Sequence, residues 1–149
     1  MRHKALELIQ SKRTMVLATS EAHTPWAAPV YYLFTGAAFY FFSSPNALHI
    51  QQALGGSVSA AAIYADGDQL DQIEGIQMTG AIALVESRIK KLEVAARYLT
   101  RFPLAKELLG NAGAALDMSK KTSLYRFTPG KVYYMDNRTG FGRRLEIDL

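Results

Sequence analysis

Cysteine is missing from all 149 residues, which removes disulfides, thiolate metal ligands and a cysteine nucleophile. Lysine and arginine are missing over half the chain, with none from Thr14 through Ser87. That segment holds Glu21, Asp66, Asp68, Asp71, Glu74 and Glu86, a formal −6. The remainder holds all 17 cations against 7 acids, a formal +10, and the chain totals +4. Between Ala22 and Ala65 the only ionisable side chains of acid–base interest are His23 and His49. A nucleic-acid platform needs Lys or Arg beside its aromatics, so this neutral aromatic stretch argues against one and points to core or interface. Long apolar runs are missing as well. The longest, Val30 to Phe42, is interrupted by Thr35-Gly36 and falls short of the ~18 residues of a membrane helix. Met1-Arg2-His3-Lys4 sets charge where a signal peptide would be apolar, which predicts a cytoplasmic protein.

The common chemical signatures are also lacking. No Walker loop, no Gly-x-Gly-x-x-Gly and no Gly-x-Ser-x-Gly occurs, against an NTPase, a Rossmann dehydrogenase and an elbow hydrolase. His3, His23 and His49 have no ligand spacing with one another or with carboxylates, so no metal site is expected. No side chain stands out as a catalytic acid or base.

What is present is a pattern of short strands. One domain over 1–149 is expected, large enough to bury roughly 70% of its unfolded surface. After an amphipathic helix over Arg2–Gln10, strands are predicted at Thr14–Thr19, Trp26–Phe34, Ala38–Phe42, Val58–Tyr64 and about Ile73–Val85. Pro29 places the second of these at an edge or a bulge. The fourth is built of small residues, suited to packing against something bulky. Gly75 and Gly80 are candidate bending points in the fifth. Ser87 caps a helix over Arg88–Thr100 with Ile89, Leu92, Ala96 and Leu99 on its buried face. Phe102-Pro103 breaks that helix, and a further turn runs to Leu109, ended by Gly110; Asn111 to Lys121 is a loop. Two closing strands, Ser123–Phe127 and Lys131–Met135, are joined by Thr128-Pro129-Gly130, and the tail from Asp136 shows no strong period. The fold class is mainly β: a six- to seven-stranded antiparallel barrel with flanking helices.

The stretch around Phe39-Tyr40-Phe41-Phe42-Ser43-Ser44-Pro45 carries the most chemistry. A strand delivers a helix predicted from Pro45 to about Leu54, with Ser44 as N-cap and Pro45 at the first helical position. No Glu or Gln closes a capping box, so the free amides, the two hydroxyls and His49 form a place for an anion such as phosphate. Arg13 and Arg88 are the nearest strong cations in sequence, both distant, so charge compensation is expected from the tail or from a second subunit. In the tail, Gly140-Phe141-Gly142-Arg143-Arg144 combines backbone freedom, an aromatic and two guanidinium groups. Trp26, Tyr31, Tyr32, Phe41 and Phe42 could stack a flat ring, although strand aromatics are more often core.

The Pro29-Val30-Tyr31-Tyr32 stretch, the Phe39-Tyr40-Phe41-Phe42-Ser43-Ser44 strand end, the His49 helix and Gly75-Ile76-Gln77-Met78-Thr79-Gly80 resemble, in that order, the FMN-binding split barrel typified by pyridoxamine-5′-phosphate oxidase. Arg101-Phe102-Pro103 continues the resemblance, and Asp136-Asn137-x-x-Gly140-Phe141-Gly142-Arg143 is similar to the ending of a small bacterial subgroup. The resemblance implies a split barrel over 1–149, forming a homodimer with FMN in clefts at the subunit interface. It places the cofactor phosphate at Ser43, Ser44 and His49, with Leu48 where a second basic residue is usual. The flavin ring falls along the backbone of Pro29, Val30, Tyr31 and Tyr32, near Phe42, with Gln77 as a polar contact. Phe141, Arg143 and Arg144 complete the candidate set. The substrate-phosphate residues of the true oxidase have no counterparts, so the implied activity is an FMN-dependent oxidoreductase with another substrate. The alternative is a non-catalytic carrier of haem or F420 on the same fold. A third reading has the basic C-terminal half binding an acidic partner.

Overall fold

A computed structural model describes residues 1–109 and 121–149. The chain is mainly β, an antiparallel sheet curled into a split barrel with flanking helices. Its elements are α1 (Arg2–Ser11), β1 (Thr14–Glu21), β2 (Thr24–Tyr31), β3 (Leu33–Thr35), β4 (Ala38–Ser43), α2 (Leu48–Leu54), β5 (Ser59–Ala65), β6 (Glu74–Leu84), α3 (Arg88–Arg101), α4 (Ala105–Leu109), β7 (Ser123–Asp136) and β8 (Arg144–Ile147). The strands run β2-β1-β5-β6-β7-β4-β3, with β8 added alongside the far half of β7. The predicted helix stop at Gly110 and most of the predicted 111–121 loop lie outside the described residues.

Alternation along the strands divides the molecule into two cores. Inward residues such as Leu17, Val30, Tyr32, Phe39, Phe41, Ile76, Phe127 and Tyr134 fill the barrel, which Ala5, Leu8 and Ile9 of α1 and Ile50 and Ala53 of α2 close. Tyr32 has no exposure, and its hydroxyl donates to the Ile9 carbonyl at 2.6 Å, fixing α1 to the start of the β2–β4 layer. On the other side of β3 and β4, α3 lays Val94, Ala95, Tyr98 and Leu99 over Leu33, Tyr40 and Leu124.

Three local expectations are corrected. β7 is one 14-residue strand, not two joined by a Thr-Pro-Gly turn. Pro129 is tolerated because β4 pairs only with Ser123–Phe127 and β8 only with Val132–Met135, leaving its missing N–H facing a gap. Opposite it the register slips between Met78 and Gly80, one extra residue in β7 making a bulge, with the Lys131 N–H donating to Thr79 Oγ1 at 3.3 Å. The expected Trp26–Phe34 strand is broken at Tyr32 into β2 and β3, so that eight strands are formed among the described residues. Pro29 does lie on an edge strand. Of the buried face expected for α3, Leu99 is buried, but Ile89 is 81% exposed and Leu92 38%, and Ala96 also faces outward. Two apolar stripes compete on this helix. The one carrying Tyr98 is buried, because its ring packs on Phe42 and Phe102 and its hydroxyl reaches the Tyr31 carbonyl. Ser87 caps α3 as expected, accepting from the Lys90 N–H.

The tail is held by charge. Asp136 is buried, and both its oxygens accept from Arg138, Nε to Oδ1 at 2.8 Å and Nη2 to Oδ2 at 3.0 Å. Arg138 also reaches Glu74 Oε2 at 3.2 Å, and Lys4 lies 3.8 Å from Asp136. Hydrogen bonding by the Arg138 side chain holds the Asp136 carboxyl below its ordinary value. Asn137 Nδ2 donates to the Leu70 carbonyl, and Asn137 Oδ1 accepts from the Gly142 N–H. Gly142, at φ +68°, supplies the left-handed conformation that turns the chain into β8.

Two predictions follow from this packing. A Cβ on Gly80 would strike the Thr128 carbonyl and come within 2.6 Å of Phe127 Cζ, so Gly80→Ala should cost about 1–3 kcal/mol in urea unfolding. Asp136→Asn should lower stability at pH 7 through loss of the paired carboxylate. Because the native carboxyl is depressed, its contribution is present above the unfolded value near 3.8 and is lost as pH falls through the native one. The gap between Asp136→Asn and the natural chain should therefore close in acid unfolding below about pH 4; a gap independent of pH would contradict this role.

Candidate functional site

The edge where β2 and β4 come together positions the candidate residues, and strand alternation distributes them. Phe41 and Ser43 point to the barrel side of β4, Phe42 to the α3 side. Ser43 Oγ and His49 Nε2 share a hydrogen bond of 2.7 Å. Burial lowers the pKa of the His49 imidazole from its ordinary 6.5, favouring the neutral ring.

The helix beside this pair starts later than expected. Ser44 does not cap it: its Oγ accepts from the Asn46 N–H at 3.2 Å and its carbonyl from the Ala47 N–H at 3.0 Å. Pro45 is the second residue of a tight turn over 44–47, which its fixed φ favours, and α2 begins at Leu48 with no side-chain cap. A Ser-Pro pair suits both a helix start and a turn. Here the turn is formed, so the seven-residue helix offers no hydroxyl-capped anion end.

The remaining candidates separate by face. Val30 (8% exposed) and Tyr32 (none) are barrel core, so only their backbone is available to a ligand. Pro29 and Tyr31 face outward. The pairings Pro29–Val16, Val16–Ala62 and Ala62–Gln77 run in one row across β2, β1, β5 and β6. Pro29 and Gln77 thus sit on one outer face, three strand spacings or roughly 14 Å apart. Ala18, Ala27, Ala60 and Ala62 keep that face small and uncharged, as the small residues of β5 predict.

The arginine tail belongs to the far end of this face. Arg144 pairs with Met135 and its Nη1 donates to Gln77 Oε1 at 3.3 Å. Ser43 pairs with Ser123 at the opposite end of β7, roughly 40 Å of strand away. Within one protomer, Arg143 and Arg144 are not beside the Ser43–His49 pair. Phe141 is 79% exposed and Arg143 is exposed, so both are open to a second chain.

Sequence reasoning missed the cations that do approach β4. Arg13 and Arg101 line a cleft of about 690 Å3 together with Tyr31, Phe42, Tyr98 and Phe102. Arg101 is fixed by its Nη2, which donates to the Gln10 carbonyl at 3.0 Å and to the Lys12 carbonyl. The Arg101-Phe102-Pro103 triplet was the only signal, and nothing in spacing joins it to Arg13, 88 residues earlier.

Chemically, the site offers a hydroxyl–imidazole pair, an uncharged outer sheet face and an aromatic cleft with two guanidinium groups. No cluster able to hold a metal ion occurs among the described residues, nor does any helix long and apolar enough to cross a membrane.

No curated protein matches the sequence. Among solved structures, a protein related to general stress protein 26, of the pyridoxinephosphate oxidase family, from Clostridium acetobutylicum is 13% identical, with a TM-score of 0.69 over 99% of this chain and 93% of that one. An FAD-binding protein from Mesorhizobium loti is 14% identical, with a TM-score of 0.70 over 89% and 90%. A haem storage protein from Vibrio cholerae is 18% identical, with a TM-score of 0.71 over 87% and 91%. At these identities the likeness is one of fold. Sequence reaches further: the family model described as pyridoxamine 5′-phosphate oxidase matches residues 1–134, ending within β7. The curled sheet and its flanking helices are thus those of the pyridoxamine 5′-phosphate oxidase family, to which this chain belongs.

Proposed function

We propose that the protein is an FMN-binding flavoprotein acting as an FMN-dependent oxidoreductase, with the cofactor held between the two chains of a homodimer. The observations that carry the reading are the Ser43–His49 pair at 2.7 Å and the uncharged outer row from Pro29 through Val16 and Ala62 to Gln77. Neighbours of this fold include one named for FAD and others named for haem, which supports a cofactor role.

The fit is uneven. The outer face suits a planar ring, and Tyr31 and Phe42 stand at its margin. The phosphate end is short of charge, because Leu48 is apolar and 41% exposed, and no cation joins Ser43 and His49 among the described residues. In this reading Ser43 and Ser44 supply hydroxyl donors, and His49 supplies a cation by taking up a proton as the phosphate arrives. Arg143 and Arg144 add their charge from the partner subunit. Bound FMN supplies the redox chemistry, and the protein's part is to bind, orient and exclude water. A haem carrier is the second reading, favoured by the burial that keeps His49 neutral, the form that ligates iron.

Flavin fluorescence titration tests this directly. A dianion raises the pKa of an adjacent imidazole, so FMN should bind more tightly at pH 6.5 than at pH 8. His49→Ala should weaken binding by roughly tenfold, remove that pH dependence and leave the oligomer intact. Truncation before Arg138 should also weaken binding. Equal affinity of the natural chain and His49→Ala would remove His49 from the site, and a Soret band on haem addition with no FMN uptake would favour the carrier.

A further inference from the structure

We propose that the cleft between α3 and the β2–β4 edge binds a small planar aromatic carboxylate. As the substrate pocket of an FMN enzyme this rests on the proposed flavin reading, whereas the ligand class is set by the cleft itself. Its volume of about 690 Å3 is that of a small-molecule site. Four aromatic rings form its walls in one connected set. Phe42 meets Tyr98 edge-on at 5.0 Å, Tyr98 lies 4.7 Å from Phe102, and Phe102 meets Tyr31 edge-on at 5.3 Å. Tyr31 is nonetheless 57% exposed, so a large ring surface is left open to the cleft mouth. A ring entering there gains offset and edge contacts that an aliphatic chain does not.

The charge of the ligand follows from the two arginines. Arg13 and Arg101 line the cleft, and no described lining residue is acidic. Arg101 is held in place by the Gln10 and Lys12 carbonyls through Nη2 alone. With no acidic side chain among the described lining residues to neutralise the two guanidinium groups, a carboxylate is the anion whose geometry suits them. Arg13 sits at the start of β1, where its backbone carbonyl accepts from the Tyr32 N–H; its side chain enters no ion pair among the described residues. One arginine is therefore pre-set by the backbone and the other is available to close on the anion. Tyr31 and Phe42 are shared with the proposed cofactor residues, which sets the pocket beside the flavin face.

Calorimetric titration of the full chain, with no flavin added, tests the inference using 2-naphthoate and its neutral isostere 2-naphthamide. Naphthoate should bind at least about tenfold more tightly than the amide. Arg13→Gln should lose most of that preference while keeping the thermal midpoint, and Arg13→Lys should restore part of it. Equal affinity for the two probes, binding of neither, or an undiminished preference in Arg13→Gln would overturn the proposal. FMN titration of the same samples separates the two readings. Naphthoate preference without FMN uptake keeps the pocket and removes the flavin, and FMN uptake without naphthoate preference does the reverse.

Discussion

Strand alternation at the end of β4 is the constraint on which the site depends. Successive side chains must leave a strand on opposite faces, so Phe41 and Ser43 go to the barrel side and Phe42 to the α3 side. Ser43 is thereby committed to His49 on α2, and Phe42 to Tyr98 on α3. No one-residue shift is open to β4, because Phe39 and Phe41 are fully buried in the barrel and a slip would turn them out. The hydroxyl–imidazole pair and the aromatic cleft are two faces of one strand end, and each has its own helix to position it.

The same alternation gives the sheet an outer face free of charge from β2 to β6. A chain with 30 charged residues keeps this face to uncharged side chains such as Pro29, Val16, Ala62 and Gln77. Neutral surface can cover a planar cofactor or a second copy of the sheet without desolvating an ion. The cations are instead set at its margins. Arg13 and Arg101 stand at the α3 side and Arg143 and Arg144 at the β8 side, so an anion approaching this face meets positive charge at either end.

Much of the fold was legible because strands announce themselves by period and turn residues. The interruption of the apolar run at Thr35-Gly36 is one case: Gly36 at φ +59° and Ala37 at φ +58° turn the chain from β3 directly onto Ala38. The edge position of Pro29 and the Ser87 cap were legible for similar local reasons. The errors share a cause. Pro45, Pro129 and the two stripes of α3 each admit two local structures, and tertiary contacts choose between them. Pro129 reads as a turn until β6 is seen to run past it without interruption. Ser44-Pro45 reads as a helix start until the tight turn over 44–47 is seen. The charge of the cleft left one local signal, the Arg101-Phe102-Pro103 triplet, because spacing does not show that Arg101 reaches the backbone carbonyls of Gln10 and Lys12 beside Arg13.

The Ser43–His49 pair and the neutral face are the surfaces that the proposed flavin would occupy, and its stoichiometric binding is the central claim of that proposal. The direct measurement is the absorption spectrum of the purified protein after loading with FMN and removing excess, followed by denaturation and quantitation of what is released. The account predicts flavin absorption in the folded sample and release of about one FMN per chain. A protein that stays colourless after loading, and releases none, would contradict it.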